Sequence, residues 1–336
     1  MDQNVIYILC PANAATGGPE ALHQLGRELI NNNYNVFMHY YDYDILKNND
    51  PVHPNYSKYN VPYAVDVINT PDSILIFPET VCMYLWSDNY SQTRKIIWWL
   101  SVTNFFISLG DVTDYYKKEP FYFIKKLYKN YPIPTLRKVK KSPVLHLAHS
   151  YFSVDFLKKK NIPIIGQISD FMNENFLDVN DHTSSKEDII IYNPIKNNVF
   201  LDKIIAKTKK LNWVPIQNMT PEEVSEMMKK AKVYIDFGYH PGKERMPRES
   251  CLMDCCLIIG KNGSAKFKED MPILEEYHFA ILDENIDAIT LKINDCLVNY
   301  EANIINFFNY KKVLLDEKKV FSSDVKKVFS NIYQKF

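Results

Sequence analysis

FGYHPGKERMPRESC, residues 237–251, joins two mostly apolar runs and is the most informative segment of the chain. The runs on either side, residues 232–237 and 255–259, have the length and composition of parallel strands buried on both faces. A short helix is predicted near residues 247–253. A strand, a glycine-containing loop and a helix in this order are typical of an open α/β sheet, whose ligands bind beyond the carboxyl ends of the strands.

The same segment carries groups suited to a diphosphate. Glycine lets the backbone approach a ligand closely, the amino end of a helix attracts anions, and arginine can donate two parallel hydrogen bonds to phosphate. Glu249 begins the predicted helix, where its carboxylate can accept hydrogen bonds from ribose hydroxyls. The predicted ligand-binding residues of the segment are His240, Gly242, Lys243, Arg245, Arg248 and Glu249. A solvated charged loop before a normally capped helix is the alternative interpretation.

The first half of the chain alternates between strands and helices. Predicted strands are 5–10, 34–41, 73–77, 95–100, 144–149 and 162–168, and predicted helices are 19–32, 121–130 and 152–160. Gly17 and Gly18 lie in the loop after the first strand. The chain has nine glycines, and six of them fall at residues 17–18 and 238–263. Two glycine regions, each following a predicted strand, indicate two loops that face one site.

The pattern restarts after a polar linker at residues 178–188. Predicted strands are 188–192, 212–217, 232–237, 255–259 and 279–282, and predicted helices are 199–210, 221–231 and much of the last 50 residues. Thr220, Pro221 and Glu223 form a strong helix start, with an N-cap, a first-turn proline and a capping-box glutamate. The sequence predicts two α/β domains, residues 1–180 and 181–310, and a C-terminal helix at 311–336 that packs back on the first domain.

Three motifs resemble glycosyltransferase family 4. PRESCLMDCCLIIG, residues 247–260, is similar to the family's donor-binding region, and Glu249 matches its ribose-binding glutamate. Thr16-Gly17-Gly18-Pro19-Glu20 resembles the glycine loop of the N-terminal domain, which approaches the donor phosphate and the acceptor. Asn193-Pro194-Ile195-Lys196-Asn197 resembles the segment that supplies a cation to the diphosphate, and Lys196 matches that cation. The three motifs span nearly the whole chain in the family's order.

The resemblance implies an α/β fold of the GT-B type, with two Rossmann-like doubly wound domains facing a cleft and a helical C-terminus. It implies transfer of a hexosyl or deoxyhexosyl group from a nucleotide-diphosphate sugar to a glycan or lipid-linked glycan. The loop sequence is closest to a bacterial subgroup acting on surface polysaccharides, and the family's reaction retains configuration. Lys243, Arg245 and Lys196 would stabilise the leaving diphosphate, with no metal ion or other cofactor.

Two positions depart from the family pattern. Many members carry an earlier glutamate that contacts the sugar, and here its position is occupied by Pro241. That contact would come from Tyr239, His240 or a backbone amide. The glycine that often ends the following helix is replaced by Asp254, which tolerates a left-handed backbone better than most residues. The donor sugar and the stereochemistry stay open.

Candidates for catalysis on the acceptor side lie near predicted strand ends. They are His23, Glu79, Asn104 and His149. Packing or helix capping is the alternative role for each of them. Trp98 and Trp99 are predicted to fill the core rather than to stack on a sugar.

Composition excludes several classes of function. The chain contains 40 basic residues (Lys and Arg) and 40 acidic residues (Asp and Glu). A net charge of zero argues against nucleic acid as the main partner. Neither a signal peptide nor a bilayer-spanning apolar run is found, so a cytoplasmic protein with reduced thiols is expected. Cys251, Cys255 and Cys256 are predicted to be buried rather than to bind metal.

Residues 125–141 contain seven Lys or Arg and no acidic residue. A basic segment with interleaved tyrosine and leucine predicts peripheral contact with anionic lipid headgroups on the cytoplasmic face of the inner membrane. A lipid-linked acceptor would be found at that surface. A solvated helix face is the alternative.

Two other functions remain open. A sugar-nucleotide epimerase can share the architecture and the diphosphate site, and it would turn over the donor without an acceptor. A non-catalytic partner in a polysaccharide assembly complex is the second, because Pro241 replaces the earlier glutamate. A nicotinamide dehydrogenase is disfavoured, since no G-x-G-x-x-G motif follows a predicted strand.

Overall fold

The computed structural model describes residues 4–41, 50–118, 133–172, 185–196 and 198–332. The predicted helix at 121–130 and most of the predicted linker at 178–188 lie outside these residues. The chain divides into two compact units. The first comprises residues 1–170 and 319–336, and the second comprises residues 171–318.

A six-stranded parallel sheet forms the first unit. Its strands are β1 (Val5–Pro11), β2 (Asn35–Tyr41), β3 (Ile74–Pro78), β4 (Arg94–Trp99), β5 (Leu145–Ala148) and β6 (Gly166–Gln167). The order across the sheet is β2-β1-β3-β4-β5-β6, so the carboxyl ends of β1, β3, β4 and β5 are neighbours. Each strand coincides with a predicted one, although β6 is much shorter than the predicted run at 162–168.

Four helices of the first unit are α1 (Gly17–Asn31), α2 (Val102–Lys118), α3 (Leu136–Lys141) and α4 (Tyr151–Lys159). Helix α1 begins at Gly17, so the two glycines form its first turn rather than the loop before it. Helix α2 is absent from the sequence-based prediction. Its signal is Ser101, whose Oγ accepts a hydrogen bond from the Asn104 amide at 3.2 Å and so caps the helix.

A five-stranded parallel sheet forms the second unit. Its strands are β7 (Glu187–Tyr192), β8 (Asn212–Pro215), β9 (Ala231–Asp236), β10 (Cys256–Gly260) and β11 (His278–Phe279). The order is β11-β10-β9-β7-β8, which places β10, β9 and β7 side by side. The predicted strands are confirmed, with ends displaced by at most three residues.

The helices of the second half are α5 (Val199–Lys207), α6 (Pro221–Lys230), α7 (Arg245–Leu252), α8 (Ile286–Val298), α9 (Tyr300–Ile304) and α10 (Phe308–Phe329). The capping box of α6 is confirmed: the Glu223 amide donates to Thr220 Oγ1, and the Thr220 amide donates to Glu223 Oε2. Helix α10 begins in the second unit and ends in the first. There Phe329 packs edge-on against Tyr34, and Val328 lies against Gly166.

Each sheet is embedded in an apolar core. Trp98 and Trp99 are fully buried, as predicted. Their indole N–H groups donate to the Ile168 carbonyl and to His146 Nδ1, both at 3.1 Å, so neither ring is available to a sugar. Burial of the cysteine group in the second unit is also confirmed; its members are Cys251, Cys255 and Cys256.

Candidate functional site

The carboxyl edge of the second sheet brings three loops together. Residues 193–196 follow β7, residues 237–244 follow β9, and residues 261–266 follow β10. Because β10, β9 and β7 are neighbours, these loops are adjacent although they come from distant parts of the sequence. The two predicted donor-binding segments, around Lys196 and around Arg245, therefore lie at one edge of one sheet.

Asp236, the last residue of β9, anchors the central loop. Its carboxylate is buried and accepts hydrogen bonds from the Gly238 amide at 2.8 Å and from the Tyr234 hydroxyl at 3.0 Å. The ring Nε2 of His240, which is also fully buried, lies 3.3 Å from Asp236 Oδ2. Burial by itself raises the pKa of Asp236, but the contact with His240, the charge of Lys196 and the Gly238 amide outweigh it and lower the pKa. The result is a charged anchor beneath the loop.

Two glycines permit the close approach of these loops. A Cβ atom at Gly238 would lie 2.7 Å from Lys196 Cβ and 2.9 Å from the Lys196 carbonyl oxygen. Gly263 has a φ of +58°, and a Cβ atom there would lie 2.0 Å from the His240 carbonyl oxygen. That oxygen accepts a hydrogen bond from the Ser264 amide at 2.8 Å. The loop after β10 thus supports the loop that carries the predicted donor-binding residues.

Lys196 and Glu244 form an ion pair across the site. Lys196 follows β7 and Glu244 immediately precedes α7, and both side chains are about three-quarters buried. An ion pair that is only partly exposed is screened less than a surface pair. Lys196 is therefore held beside the amino end of α7, where its matched role requires it.

Glu317 on α10 forms ion pairs with two of the predicted phosphate ligands. Lys243 Nζ donates to Glu317 Oε1 at 2.9 Å, and the Arg248 guanidinium donates to Oε1 and Oε2 at 3.3 and 3.1 Å. Arg248 also donates to the Glu244 and Lys243 carbonyls, and only 1% of its surface is exposed. Arg248 is therefore a buried support of the loop rather than an exposed cation, while Lys243 keeps a small exposed fraction.

The remaining predicted residues of this loop differ in exposure. Arg245, the first residue of α7, and Glu249, one turn later, are half-buried. Tyr239 is exposed, next to Gly238. Gly242 is buried, and its carbonyl accepts a hydrogen bond from Ser264 Oγ at 2.5 Å.

Gly18, Glu79 and His149 lie at the carboxyl edge of the first sheet, after β1, β3 and β5; β1 and β3 are neighbours, and β4 separates β3 from β5. A Cβ atom at Gly18 would meet only Leu100 Cδ1, at 3.6 Å, which is an ordinary contact. The surrounding protein therefore does not require glycine at this position. A ligand that approaches the first turn of α1 would require it.

Glu79 binds the amino end of α2. Its Oε2 accepts from the Leu100 amide at 2.7 Å and its Oε1 accepts from the Ser101 amide at 3.1 Å. Burial raises the pKa of Glu79 to about 8, although its hydrogen bonds to backbone amides lower it in part. This geometry is that of a capping residue, which is the alternative that the sequence left open.

We expect Glu79 to make the stability of the first unit depend on pH. Between about pH 5 and pH 8 the folded state keeps the Glu79 proton and the unfolded state releases it, so raising the pH favours unfolding by up to about 1.4 kcal/mol per unit. Glu79→Gln should flatten this slope in urea titrations followed by circular dichroism. Glu222→Gln, at an exposed position on α6, should leave the slope unchanged; an unaltered slope in Glu79→Gln would contradict the assignment.

His23 is enclosed by tyrosines within the first unit. It is buried, with Nδ1 2.7 Å from the Pro19 carbonyl and Nε2 2.8 Å from the Tyr40 hydroxyl. Its ring lies 4.9 Å from that of Tyr56. Burial lowers the pKa of His23, although the Pro19 carbonyl opposes this shift. Both ring nitrogens are engaged in the fold, so the structure favours the packing role for His23 over the predicted catalytic one.

His149 and Asn104 follow the neighbouring strands β5 and β4, but the two side chains have different surroundings. His149 follows β5 and is buried, with Nε2 3.1 Å from the Asp170 amide and 3.3 Å from Asp170 Oδ1. Its Nδ1 has no hydrogen-bond partner among the described residues. Asn104 lies in the first turn of α2 and is exposed. Of the four catalytic candidates, His149 combines a carboxylate partner with an uncommitted ring nitrogen.

Three acidic residues at the carboxyl edges of the two sheets were not predicted from the sequence. They are Asp236, Glu244 and Asp170. Asp236 had a recognisable signal, since it is a carboxylate at the end of an otherwise apolar strand and precedes a glycine. Glu244 and Asp170 had no recognisable sequence signal, because the arrangement of the strands brings their partners to them.

No described helix is both long enough and apolar enough to cross a membrane. Among the described side chains, no group of three or more His, Cys, Asp or Glu could hold a metal ion.

The chain matches no model of a known protein family, and no curated protein matches its sequence. Solved structures do resemble it. HepE of Anabaena, in complex with UDP-glucose, has a TM-score of 0.62 at 8% identity, over 97% of this chain and 99% of its own. A glycosyltransferase from Rickettsia africae has a TM-score of 0.58 at 12% identity, over 98% and 100%. Sucrose-phosphate synthase from Thermosynechococcus elongatus has a TM-score of 0.55 at 12% identity, over 99% of both chains.

These likenesses agree with the two parallel sheets and the helical C-terminal region described above. At such low identity they establish the architecture and leave the reaction to be argued from the residues. The protein has the GT-B fold, as the sequence predicted.

Proposed function

We propose that this protein is a glycosyltransferase that moves a sugar from a nucleotide-diphosphate donor to a glycan or lipid-linked glycan. The observation that carries the proposal is the group of cations at the carboxyl edge of the second sheet. Lys196 and Arg245 flank the tight loop 238–244, which leads into the amino end of α7. Backbone amides, a helix dipole and cations together form an anion site.

Lys196 and Arg245 are proposed to stabilise the negative charge that grows on the leaving diphosphate. Glu244 would be displaced from Lys196 by a donor phosphate, so donor binding would exchange one ion pair for another. Lys243 and Arg248 would act mainly through the position of the loop, since Glu317 holds both. Arginine and lysine charges of this kind serve in place of a metal ion, and the proposed reaction uses no cofactor.

Glu249 is proposed to bind the donor ribose. It is half-buried and lies one turn into α7, the helix whose amino end belongs to the proposed diphosphate site. With Pro241 in place of the family's earlier glutamate, the sugar would contact the exposed Tyr239 ring or a loop amide. The ring of His240 is too deeply buried for this role.

On the acceptor side, Gly17 and Gly18 would allow a ligand to approach the first turn of α1. His149, with Asp170 beside it, is the proposed side chain for a contact with the reacting sugar. Asn104 is exposed and can bind an acceptor hydroxyl. We propose a retaining reaction, in which the leaving phosphate takes the acceptor proton and a side-chain base is not needed.

Uridine diphosphate is the proposed leaving group, because HepE is described with UDP-glucose and with UDP. The proposed pathway is bacterial surface polysaccharide synthesis, with a hexosyl or deoxyhexosyl donor. The predicted membrane contact at 125–141 belongs to this proposal; residues 119–132 lie outside the described part of the chain.

A thermal-shift screen against UDP, dTDP, GDP, CMP and ADP tests the donor site. We expect one diphosphate to raise the melting temperature, since a ligand at a hundred times its Kd stabilises by about 2.7 kcal/mol. Arg245→Ala and Glu249→Ala should abolish the shift. Arg137→Ala and Glu222→Ala, which are matched changes at exposed positions, should retain it.

One result of the screen would contradict the proposal. No shift with any nucleotide would reject the donor site and favour a non-catalytic protein. If the donor binds, incubation of the UDP-sugar with and without acceptor separates the remaining functions: conversion of the donor alone would favour an epimerase.

A further inference from the structure

A basic surface on the first unit joins α3 to the end of α4. Between residues 133 and 160 the chain has seven Lys or Arg and one acidic residue, Asp155, in a protein whose net charge is zero. The basic residues are Arg137, Lys138, Lys140, Lys141, Lys158, Lys159 and Lys160, and all of them are exposed. Asp155 pairs with Lys159 at 2.8 Å, so six of the seven charges are not balanced within this segment.

The two helices meet through their basic ends. Lys140 Nζ on α3 donates to the Lys160 carbonyl at 2.8 Å, at the carboxyl end of α4. Lysine at this position also balances the negative end of the helix dipole. The contact brings two clusters that are separate in the sequence into one charged surface.

An apolar part continues this surface. Lys160 Nζ lies 6.0 Å from the centre of the Phe156 ring, and the Phe156 ring lies 5.8 Å from that of Phe106 on α2. Phe106 is 44% exposed and its neighbour Ile107 is 55% exposed. Phe106 and Ile107 thus add exposed apolar area beside the basic surface.

We propose that α3, the end of α4 and the Phe106-Ile107 pair form a docking surface for an anionic lipid bilayer. Lysines would lie at the headgroups and the two apolar side chains would enter the interface between headgroups and acyl chains. The proposal rests on the proposed function in one respect: a lipid-linked acceptor would be met at this surface. It is broader than the predicted segment at 125–141, because α2 and α4 contribute to it.

Charge complementarity alone would also suit a nucleic acid or an acidic polysaccharide. Those partners offer phosphate or carboxylate groups, and a nucleic-acid base can stack on the Phe106 ring, but neither partner offers hydrocarbon to Ile107. A bilayer offers both, with headgroup charge at the surface and hydrocarbon directly beneath it. The combination of the two kinds of side chain is the reason to choose the bilayer.

Co-sedimentation of the full chain with vesicles tests the proposal. We expect binding to phosphatidylcholine vesicles that contain phosphatidylglycerol and little binding to phosphatidylcholine alone. Lys138→Glu/Lys141→Glu/Lys158→Glu should weaken binding by about 100-fold, at roughly fivefold or more per lysine. The control Lys209→Glu/Lys210→Glu/Lys312→Glu makes the same change in net charge at exposed positions of the second unit and should bind nearly as wild type.

A second variant separates the bilayer from soluble polyanions. Phe106→Ser/Ile107→Ser should weaken vesicle binding about tenfold, because the apolar contact is lost, and should leave the binding of heparin, which has no bases to stack on an aromatic ring, unaltered. The proposal would be overturned by equal losses in the two lysine variants, by absence of binding to anionic vesicles, or by full vesicle binding in the serine variant. Thermal shifts with nucleotide on the same proteins test the donor site independently, so failure of one proposal can be told from failure of the other.

Discussion

Replacing Glu317 by alanine is expected to lower the free energy of unfolding of the second unit by about 3–5 kcal/mol. Glu317 is the carboxylate partner of the buried Arg248 guanidinium and of Lys243. Without it, the positive charge of Arg248 stays in a site that solvent hardly reaches, and desolvation of an uncompensated charge is costly. Urea unfolding followed by circular dichroism measures the loss.

A double variant distinguishes the ion pair from simple packing. Arg248→Met/Glu317→Leu removes both buried charges and keeps apolar volume, so it should regain most of the stability that Glu317→Ala loses. Lys243, which is 13% exposed, can then turn toward solvent. A double variant as unstable as the single one would show that the charges are not the cause.

The same variants bear on the donor site. If Arg248 supports the loop rather than binding phosphate, the folded double variant should keep a measurable thermal shift with the diphosphate. Arg245→Ala, which removes a proposed phosphate contact, should lose the shift while it keeps most of its stability. The opposite pattern would identify Arg248 as the phosphate ligand.

Gly263→Ala is expected to destabilise the second unit by about 2–5 kcal/mol. A left-handed backbone costs a residue with a Cβ atom about 1–2 kcal/mol, and overpacking adds about 1–3 kcal/mol. At Gly263 the clash is with the His240 carbonyl, which is backbone and cannot turn aside. The alanine would therefore displace the loop 238–244, and donor binding should fall together with stability.

Gly18→Ala is the matched control. Its Cβ atom would meet only a leucine methyl group at an ordinary distance, and alanine suits the first turn of a helix better than glycine does. Stability should be unchanged or slightly higher. Donor or acceptor binding should nevertheless fall if a ligand approaches this turn.

The two glycine variants test different parts of the proposed site geometry, and each has a result that would contradict it. A Gly263→Ala protein as stable as wild type would mean that the loop after β10 does not brace the loop after β9. A Gly18→Ala protein with full stability and full transferase activity would mean that no ligand passes close to α1.

Local patterns along the chain were enough to predict most of the elements. Buried parallel strands are continuous apolar runs, so β1, β3 and β10 were recognisable without knowledge of their partners. The capping box at Thr220 follows from local side-chain chemistry and was confirmed. Asp254, at the position of the family's glycine, has a left-handed backbone with a φ of +58°, which aspartate tolerates better than most residues. Helix α2 was missed because it follows the predicted strand at 95–100 almost directly, and the cap at Ser101 that marks its start was not recognised.

The candidate site was predictable only in part. The cations, the glycines and Glu249 could be proposed because a strand, a loop and a helix in sequence define a local anion site. His23 could not be assessed in this way, since its surroundings are three tyrosine rings from other segments. Its chemistry depends on burial, which one sequence position does not reveal.

Sequence alone was sufficient for whatever depends on neighbours within about ten residues: the strands, the helix caps, the α/β class and the presence of a cationic, glycine-containing loop before a helix. Tertiary structure decided which charges that loop keeps. Glu317 on α10 reaches Arg248 from 69 positions away, and Glu244 reaches Lys196 from the loop that follows the neighbouring strand β9. The second pair forms because parallel strands bring distant loops to one edge, and the first forms because α10 lies beside α7. In both, the energy of a charge depends on what surrounds it in space rather than along the chain.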